Sequence, residues 1–276
     1  MISKEISRKK HSDKTWSNIT MRIKKQEILG IPISAINYDR TICYICKQIQ
    51  EKRSAYICVS ASHLLIECLK DARLARGVKK SSMVLPDGMP LVWLLRLYGH
   101  KKQTRVYGPE LMVRVCGEAA ERAWRIFILG GRSNQSLKVY KSIKKMFPKL
   151  ILAGNQDTPW RALSTKAEGD VIKKIQLSKP DIVFVGSGCP HQEKWMIENS
   201  MHVRSVLIGV GAAFDYITGY KKKPAPWTQN IGLEWAYRLY QDPKRLFVRY
   251  MIGNATFASA VIRQLIKDRW ISMSKK

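Results

Sequence analysis

Ser81-Ser-Met-Val-Leu85-Pro-Asp-Gly-Met89 is the stretch from which the fold can be read. Ser81–Leu85 has the apolar run of a short buried strand, and Pro90–Tyr98 has the composition and length of a helix. Pro86 and Gly88 demand a tight turn, so Asp87 is expected where a strand ends and a helix begins. In open α/β sheets, ligands bind outside the carboxyl ends of the strands. An acid placed there is a candidate general base. It is equally a candidate cap for the helix that opens at Gly88, a task aspartate performs well.

Working outward, the same strand-then-helix rhythm recurs. Ala55–Ser60 reads as a strand and Ala61–Arg76 as a helix. Arg125-Ile-Phe-Ile-Leu129 is a strand ending in Gly130-Gly131, with a helix from about Asn134 to Phe147. Leu150–Ala153, Asp181-Ile-Val-Phe-Val185 and Ser205-Val-Leu-Ile-Gly209 complete the series. These β-rich runs are continuous rather than alternating, as expected of parallel strands buried on both faces. Strands separated by helical segments argue for βαβ units, giving an α/β, Rossmann-like, mostly parallel sheet flanked by helices. From Trp227 onward the strand signal stops, and helical segments with breaks at Pro243 and Gly253-Asn254 run to about Trp270. The expected organisation is a basic, flexible segment over 1–25, a catalytic core over 26–226 and a basic helical appendage over 227–276.

Composition narrows the function classes. The 276 residues carry a formal charge of +28, unevenly spread. Residues 1–28 hold eight Lys/Arg against three acids, and residues 221–276 hold twelve against three. Such a field favours polyanions: nucleic acid, an anionic membrane surface or phosphorylated substrates. No apolar run is long enough to span a bilayer, and the basic N-terminus lacks the apolar centre of a secretory signal. A cytoplasmic protein is therefore expected. Six cysteines do not make a disulfide scaffold in a chain of this size. Cys43-x-x-Cys46 has no second pair or nearby histidine to complete a zinc set, so both are read as ordinary helix residues, with a redox or metal role as the alternative.

Three strand-end turns carry potential chemistry. Leu129-Gly-Gly-Arg132 opens a helix whose N–H groups and dipole could face a phosphate. Gly186-Ser-Gly-Cys-Pro190 leads into His191-Gln-Glu-Lys-Trp195, where glycines admit a ligand to the backbone and polar side chains occupy the first turn. Gln192 is alternatively a solvated residue, and Glu193 a favourable acid at a helix N-terminus. Gly209-Val-Gly-Ala-Ala-Phe-Asp215 ends in a carboxylate that either serves a ligand or pairs with the basic tail. His63 opens an apolar helix, where packing or capping competes with catalysis. No Asp-x-Asp pair, Walker A sequence or complete Gly-x-Gly-x-x-Gly fingerprint occurs.

These turns together resemble the WecG/TagA/CpsF glycosyltransferases, of glycosyltransferase family 26. The resemblance rests on Leu85-Pro-Asp-Gly-Met89, Arg105-Val-Tyr-Gly108, Leu129-Gly-Gly131, Gly188-Cys-Pro-His-Gln-Glu-Lys-Trp195 and Gly209-Val-Gly-Ala-Ala-Phe-Asp215. Gly232-Leu-Glu-Trp-Ala-Tyr-Arg-Leu239, Asp242-Pro-Lys-Arg-Leu246 and Arg249-Tyr250 extend it, so it covers most of the chain. It implies an inverting, metal-independent enzyme without a cofactor that makes bacterial surface polysaccharide. The sugar would pass from a UDP-sugar, of N-acetylmannosamine type or glucose, to a polyprenyl-diphosphate-linked saccharide. Partners would be those two substrates and an anionic membrane, with the enzyme peripheral on its cytoplasmic face. Nucleic acid is not expected, and self-association is left open.

Position by position, the family's general base falls on Asp87. Its polar residues after the first strand fall on Cys58 and Ser60, a departure, because a thiol is a poor hydrogen-bond donor. The nucleotide-sugar turns fall on Gly130, Gly131, Pro190, Gln192, Gly209, Gly211 and Asp215. The appendage arginines fall on Arg238, Arg245 and Arg249, and Val248 stands where many members have a further arginine. In a metal-free site, planar guanidinium groups would neutralise the diphosphate. The rival class, a basic nucleic-acid-binding α/β protein, lacks a helix-turn-helix, zinc finger or aromatic RNA motif.

Overall fold

The computed structural model describes residues 22–158, 165–222, 224, 228, 232–241 and 243–273. A hairpin of β1 (Lys25–Ile28) and β2 (Ile31–Ser34) leads into α1 (Tyr38–Gln50). There follow β3 (Ala55–Ser60), α2 (Ser62–Lys70), α3 (Ala72–Lys80), β4 (Met83–Pro86), α4 (Met89–Leu97) and α5 (Gly108–Glu121). Next come β5 (Arg125–Leu129), α6 (Gln135–Met146), β6 (Ile151–Gln156), α7 (Thr165–Ser178) and β7 (Ile182–Val185). α8 (His191–Asn199), β8 (Val206–Gly209) and the short α9 (Ala213–Ile217) precede α10 (Glu234–Gln241) and the long α11 (Pro243–Met273).

The central sheet has the order β4-β3-β8-β7-β5-β6, and every neighbouring pair is parallel. Alternate residues serve opposite faces, as the pleat requires. Ile126, Ile128, Phe184 and Ile208 join a core with Leu111 and Val115 of α5 and Ile143 of α6. Phe127, Leu129, Val185 and Leu207 join a second core with Leu64 and Leu65 of α2, Leu91 of α4 and Met196 of α8. Both faces are covered, which is why the strands read as unbroken apolar runs. The carboxyl ends of β3, β4, β7 and β8 consequently lie along one edge, where the sequence places its turns.

Three features differ from the sequence reading. The helix expected over Ala61–Arg76 is two helices, because the Asp71 carboxylate accepts from Arg73 and Leu74 N–H, both at 3.0 Å, and caps a new one. The β1–β2 hairpin escaped notice because its strands have four residues each and Leu29 takes a positive φ in the turn. Gly253-Asn254 does not break the C-terminal segment; α11 runs through it. At this point α11 approaches α2: a Cβ at Gly253 would meet the Ile66 side chain at 3.5 Å, an ordinary van der Waals contact.

That approach fastens α11 to the core. Phe257, one turn on, is buried in the second core. Gln264 accepts from Leu29 N–H at 2.7 Å and donates to the Glu27 carbonyl at 3.0 Å, and the Tyr98 hydroxyl donates to Asp268 at 2.5 Å. Among the described residues, no helix is long and apolar enough to cross a membrane.

Candidate active site

Asp87 lies just beyond β4, in the turn its flanking proline and glycine anticipate. Ser60, at the end of β3, fixes that turn: its carbonyl accepts from Asp87 N–H at 2.8 Å and Gly88 N–H at 3.3 Å. The residue at the start of α4 that acts as its cap is Gly88, with no side-chain cap bond. The Asp87 carboxylate is therefore not spent on capping α4. It turns to Arg105, whose Nη2 and Nε donate to Oδ1 at 2.8 and 3.1 Å, while Gly108 N–H approaches Oδ2 at 3.4 Å. Arg105 Nε also donates to the Asp87 carbonyl.

Arg105 is the hinge of a larger network. Its Nη1 lies 2.7 Å from Glu234 at the start of α10, and its guanidinium stacks 4.3 Å above the Tyr107 ring. Burial works against the Arg105 charge, but Asp87 and Glu234 outweigh it and raise the pKa above its usual value. The Tyr38 hydroxyl accepts from Tyr107 N–H at 2.8 Å, and burial pushes its pKa well up, so it stays neutral. One guanidinium thus ties the candidate base to the C-terminal segment. Glu234→Gln should lower unfolding stability by about 2 kcal/mol, because a charge-assisted bond to a buried guanidinium becomes a neutral one. Thermal or denaturant unfolding of that variant measures the change, and an unchanged midpoint would show the bridge to be energetically idle.

Asp87 lines a cavity of about 170 Å³ built from the carboxyl ends of the sheet, with Gln192, Gly211 and Asp215 on its walls. An adjoining cavity of about 160 Å³ shares Ala61, His63, Asp87 and Tyr250 with it. Gln192 is buried, not solvated: its Oε1 accepts from Gly211 N–H at 2.9 Å and its Nε2 donates to Glu193 at 2.8 Å. It therefore braces the turn after β8. Glu193 is fully buried. Asp215 gathers Gln135 Nε2 at 2.8 Å, Arg132 at 3.3 Å and Lys221 at 3.3 Å. Its carboxylate brings two cations to the cavity region, one of which, Lys221, is in the wall.

Other expected site residues stand behind this wall. Ser60 is buried, its hydroxyl donating to the Ala61 carbonyl at 3.1 Å. Cys58 is buried in the second core, and burial first, then Glu193, pushes its thiol far above the ordinary range. Such a thiol is inert. Gly130 N–H donates to the Gln156 carbonyl at 2.8 Å. Gly131 packs against Gln135, Gly209 against Met196 and Gln192, and Pro190 immediately precedes α8. At the α6 N-terminus that follows the Gly130-Gly131 turn, two of the first donors already have a protein partner. The Asp157 carboxylate accepts from Asn134 N–H at 2.5 Å and Ser136 N–H at 2.8 Å. Arg238 falls on α10, and Arg245 and Arg249 on α11; their side chains lie outside the described residues.

Arg105 and Glu234 were missed as site residues although both sit in quoted motifs. The available signal was a charge of opposite sign in each of two quoted motifs, but their pairing spans more than a hundred residues of chain. His63 lines both cavities, with Nδ1 3.9 Å from Glu67 on the next turn of α2. Among the described residues, no cluster of His, Cys, Asp and Glu has the makings of a metal site.

Comparison with known proteins matches residues 26–270 to the glycosyl transferase WecG/TagA/CpsF family. The N-acetylglucosaminyldiphosphoundecaprenol N-acetyl-beta-D-mannosaminyltransferase of Bacillus subtilis is 30% identical over 245 residues, spanning 88% of this chain and 93% of its own length. The protein of the same description from Bacillus spizizenii is 28% identical over 217 residues, spanning 78% and 81%.

Proposed function

This chain belongs to the WecG/TagA/CpsF family and is a glycosyltransferase, and from that premise we propose that it adds an N-acetylmannosamine-type sugar to a lipid-linked N-acetylglucosaminyl diphosphate in bacterial surface polymer synthesis. The donor in this reading is a UDP-sugar. The observation that carries the site assignment is Asp87, held by Arg105 at the end of β4 and exposed to the cavity at the sheet's carboxyl edge. The names of the two Bacillus relatives support both the sugar and the acceptor.

The reaction is a single displacement. Asp87 takes the proton of the acceptor hydroxyl, whose oxygen bonds to the anomeric carbon as the bond from that carbon to UDP breaks. The departing diphosphate keeps the electron pair, and attack from the opposite face inverts the anomeric centre. General-base help of this kind contributes roughly 10²–10⁴-fold. Positive charge must meet the leaving group; Lys221 and Arg132, assembled by Asp215, and the arginines of α10 and α11 are the candidates.

The enzyme works at the membrane surface in this reading. Phe247, Met251, Ile262, Ile266 and Trp270 of α11 are exposed, interleaved with Arg263, Lys267 and Arg269. An apolar stripe with basic neighbours suits an anionic interface. The deciding experiment is a panel of UDP-sugars tested against N-acetylglucosaminyl-diphosphopolyprenol. Transfer from UDP-N-acetylmannosamine is expected to dominate; preference for UDP-glucose would overturn the donor assignment.

Metal independence is part of the proposal, motivated by the absence of any Asp-x-Asp pair. Turnover with excess chelator should stay close to its untreated value. Loss of activity on chelation, restored by magnesium or manganese, would contradict it.

A further inference from the structure

Beside the Asp87 cavity runs a separate apolar groove of about 460 Å³. Trp93 and Leu97 of α4 form one side, and Phe257, Ala258 and Val261 of α11 form the other. Three of its apolar members are unusually open to solvent for their size: Trp93 at 47%, Leu97 at 65% and Leu233 at 42%. Exposed apolar surface gathered along one groove, from α4 and from the segment before α10, is a binding feature rather than scattered surface leucines.

The groove is continuous with the site at its inner end. Pro90, Gly232, Trp235 and Asn254 line both the groove and the cavity that holds Asp87 and Arg105. The junction is built closely: Gly232 has a φ of +76°, and a Cβ there would fall 2.7 Å from the Trp93 ring. Only glycine lets the segment before α10 close onto α4 at this point. At its outer end the groove reaches Leu97 and Val261, the latter next to the exposed Ile262 that begins the apolar stripe to Trp270. A polar, charged pocket thus opens into an apolar channel, and the channel opens beside the helix face assigned above to the membrane.

We propose that this groove holds the first isoprene units of the acceptor's polyprenyl chain, leading the lipid from the bilayer surface to the reacting sugar at Asp87. The inference rests on the lipid-linked acceptor reading. The occupant it requires has an anionic head and a long apolar tail, and the channel matches that polarity from end to end. A second protein chain would leave unexplained why the groove's inner end opens onto the charged groups Asp87, Arg105 and Glu234. Apolar contact of this kind is non-directional, which suits a chain that must slide in from a bilayer and leave after transfer.

Ala258→Trp fills the groove from an exposed helix position, and Leu97→Gln makes its outer mouth polar. Each variant is compared with the unsubstituted enzyme on two acceptors carrying the same diphosphate saccharide, one on an undecaprenyl chain in anionic vesicles and one on a short soluble alkyl chain. The KM for the long-chain acceptor should rise about tenfold, equivalent to losing the contact of roughly two buried methylenes. The kinetics with the short-chain acceptor should not move. Equal effects on both acceptors, or none on either, would overturn the groove assignment. If the unsubstituted enzyme uses neither acceptor, the acceptor reading fails instead. Binding of undecaprenyl phosphate micelles then decides the groove, supported by weaker binding to Ala258→Trp and refuted by unchanged binding.

Discussion

Asp87→Asn is expected to lower turnover at least about a hundredfold while leaving the fold and the affinity for UDP close to those of the unsubstituted enzyme. Asparagine keeps the size of the side chain and an oxygen with which Arg105 Nη2 can bond, as it now does at 2.8 Å. It cannot accept a proton from an attacking hydroxyl. The turn itself is held by the Ser60 carbonyl, at 2.8 Å from Asp87 N, which the substitution does not touch. Arg105 also retains Glu234, so the buried guanidinium keeps one full counter-charge. A loss confined to the chemical step should appear in kcat with little change in nucleotide binding measured by calorimetry. Near-normal turnover would remove Asp87 from the base role; a loss of UDP affinity matching the loss of turnover would make the carboxylate structural, whereas a modest fall in melting temperature is expected from the weakened Arg105 pair alone.

Deletion of residues from Trp227 onward is expected to abolish membrane binding and nearly all transfer. Every described strand ends by Gly209, so the parallel sheet should persist as a folded core. That core will be weakened, because α11 contributes the buried Phe257 and α10 the Glu234 partner of Arg105. Losing a buried phenylalanine alone costs about 3 kcal/mol. The deleted residues 227–276 hold nine basic residues against three acids, an excess of six, and each basic group near an anionic surface contributes about 1 kcal/mol. Vesicle flotation at physiological salt should therefore lose the truncated protein, and DNA should retain neither form. Arg238, Arg245 and Arg249 separate the two effects. Replacing all three by alanine in the full chain should reproduce most of the activity loss with a smaller effect on vesicle binding. Full activity in that variant would make the segment an anchor alone and move the diphosphate contacts to Lys221 and Arg132.

Much of this was legible in the linear chain, for local reasons. Five of the six strands of the central sheet announce themselves as short apolar runs because they are largely buried, which leaves little polar alternation to confuse; β6, at the sheet's edge, has no buried residue and shows only its first apolar residues. Asp87 announces itself because proline before it and glycine after it permit few backbone paths. The short β1–β2 hairpin and the division at Asp71 were not legible: four-residue strands carry too little pattern, and a cap inside a long amphipathic run looks like one more polar position. Gly253 misled because glycine only lowers helix propensity locally, and the helix continues through it on the strength of its packing against the core, including the buried Phe257 one turn on.

The site divides along the same line. Which residues stand at strand ends follows from short-range pattern, and Asp87, Gln192, Gly211 and Asp215 do line one cavity. What each of them does depends on partners that pattern cannot supply. Whether Asp87 caps a helix or meets Arg105, whether Gln192 is solvated or braces Gly211, and which cations Asp215 collects are all settled by contacts across the sheet order β4-β3-β8-β7-β5-β6. The same holds for Glu234, which reaches Arg105 only because the segment at Gly232, just before α10, closes onto Trp93 of α4. A charge in a chain has a sign and a position in sequence; its chemistry comes from the desolvated partner beside it, and that partner is chosen by packing.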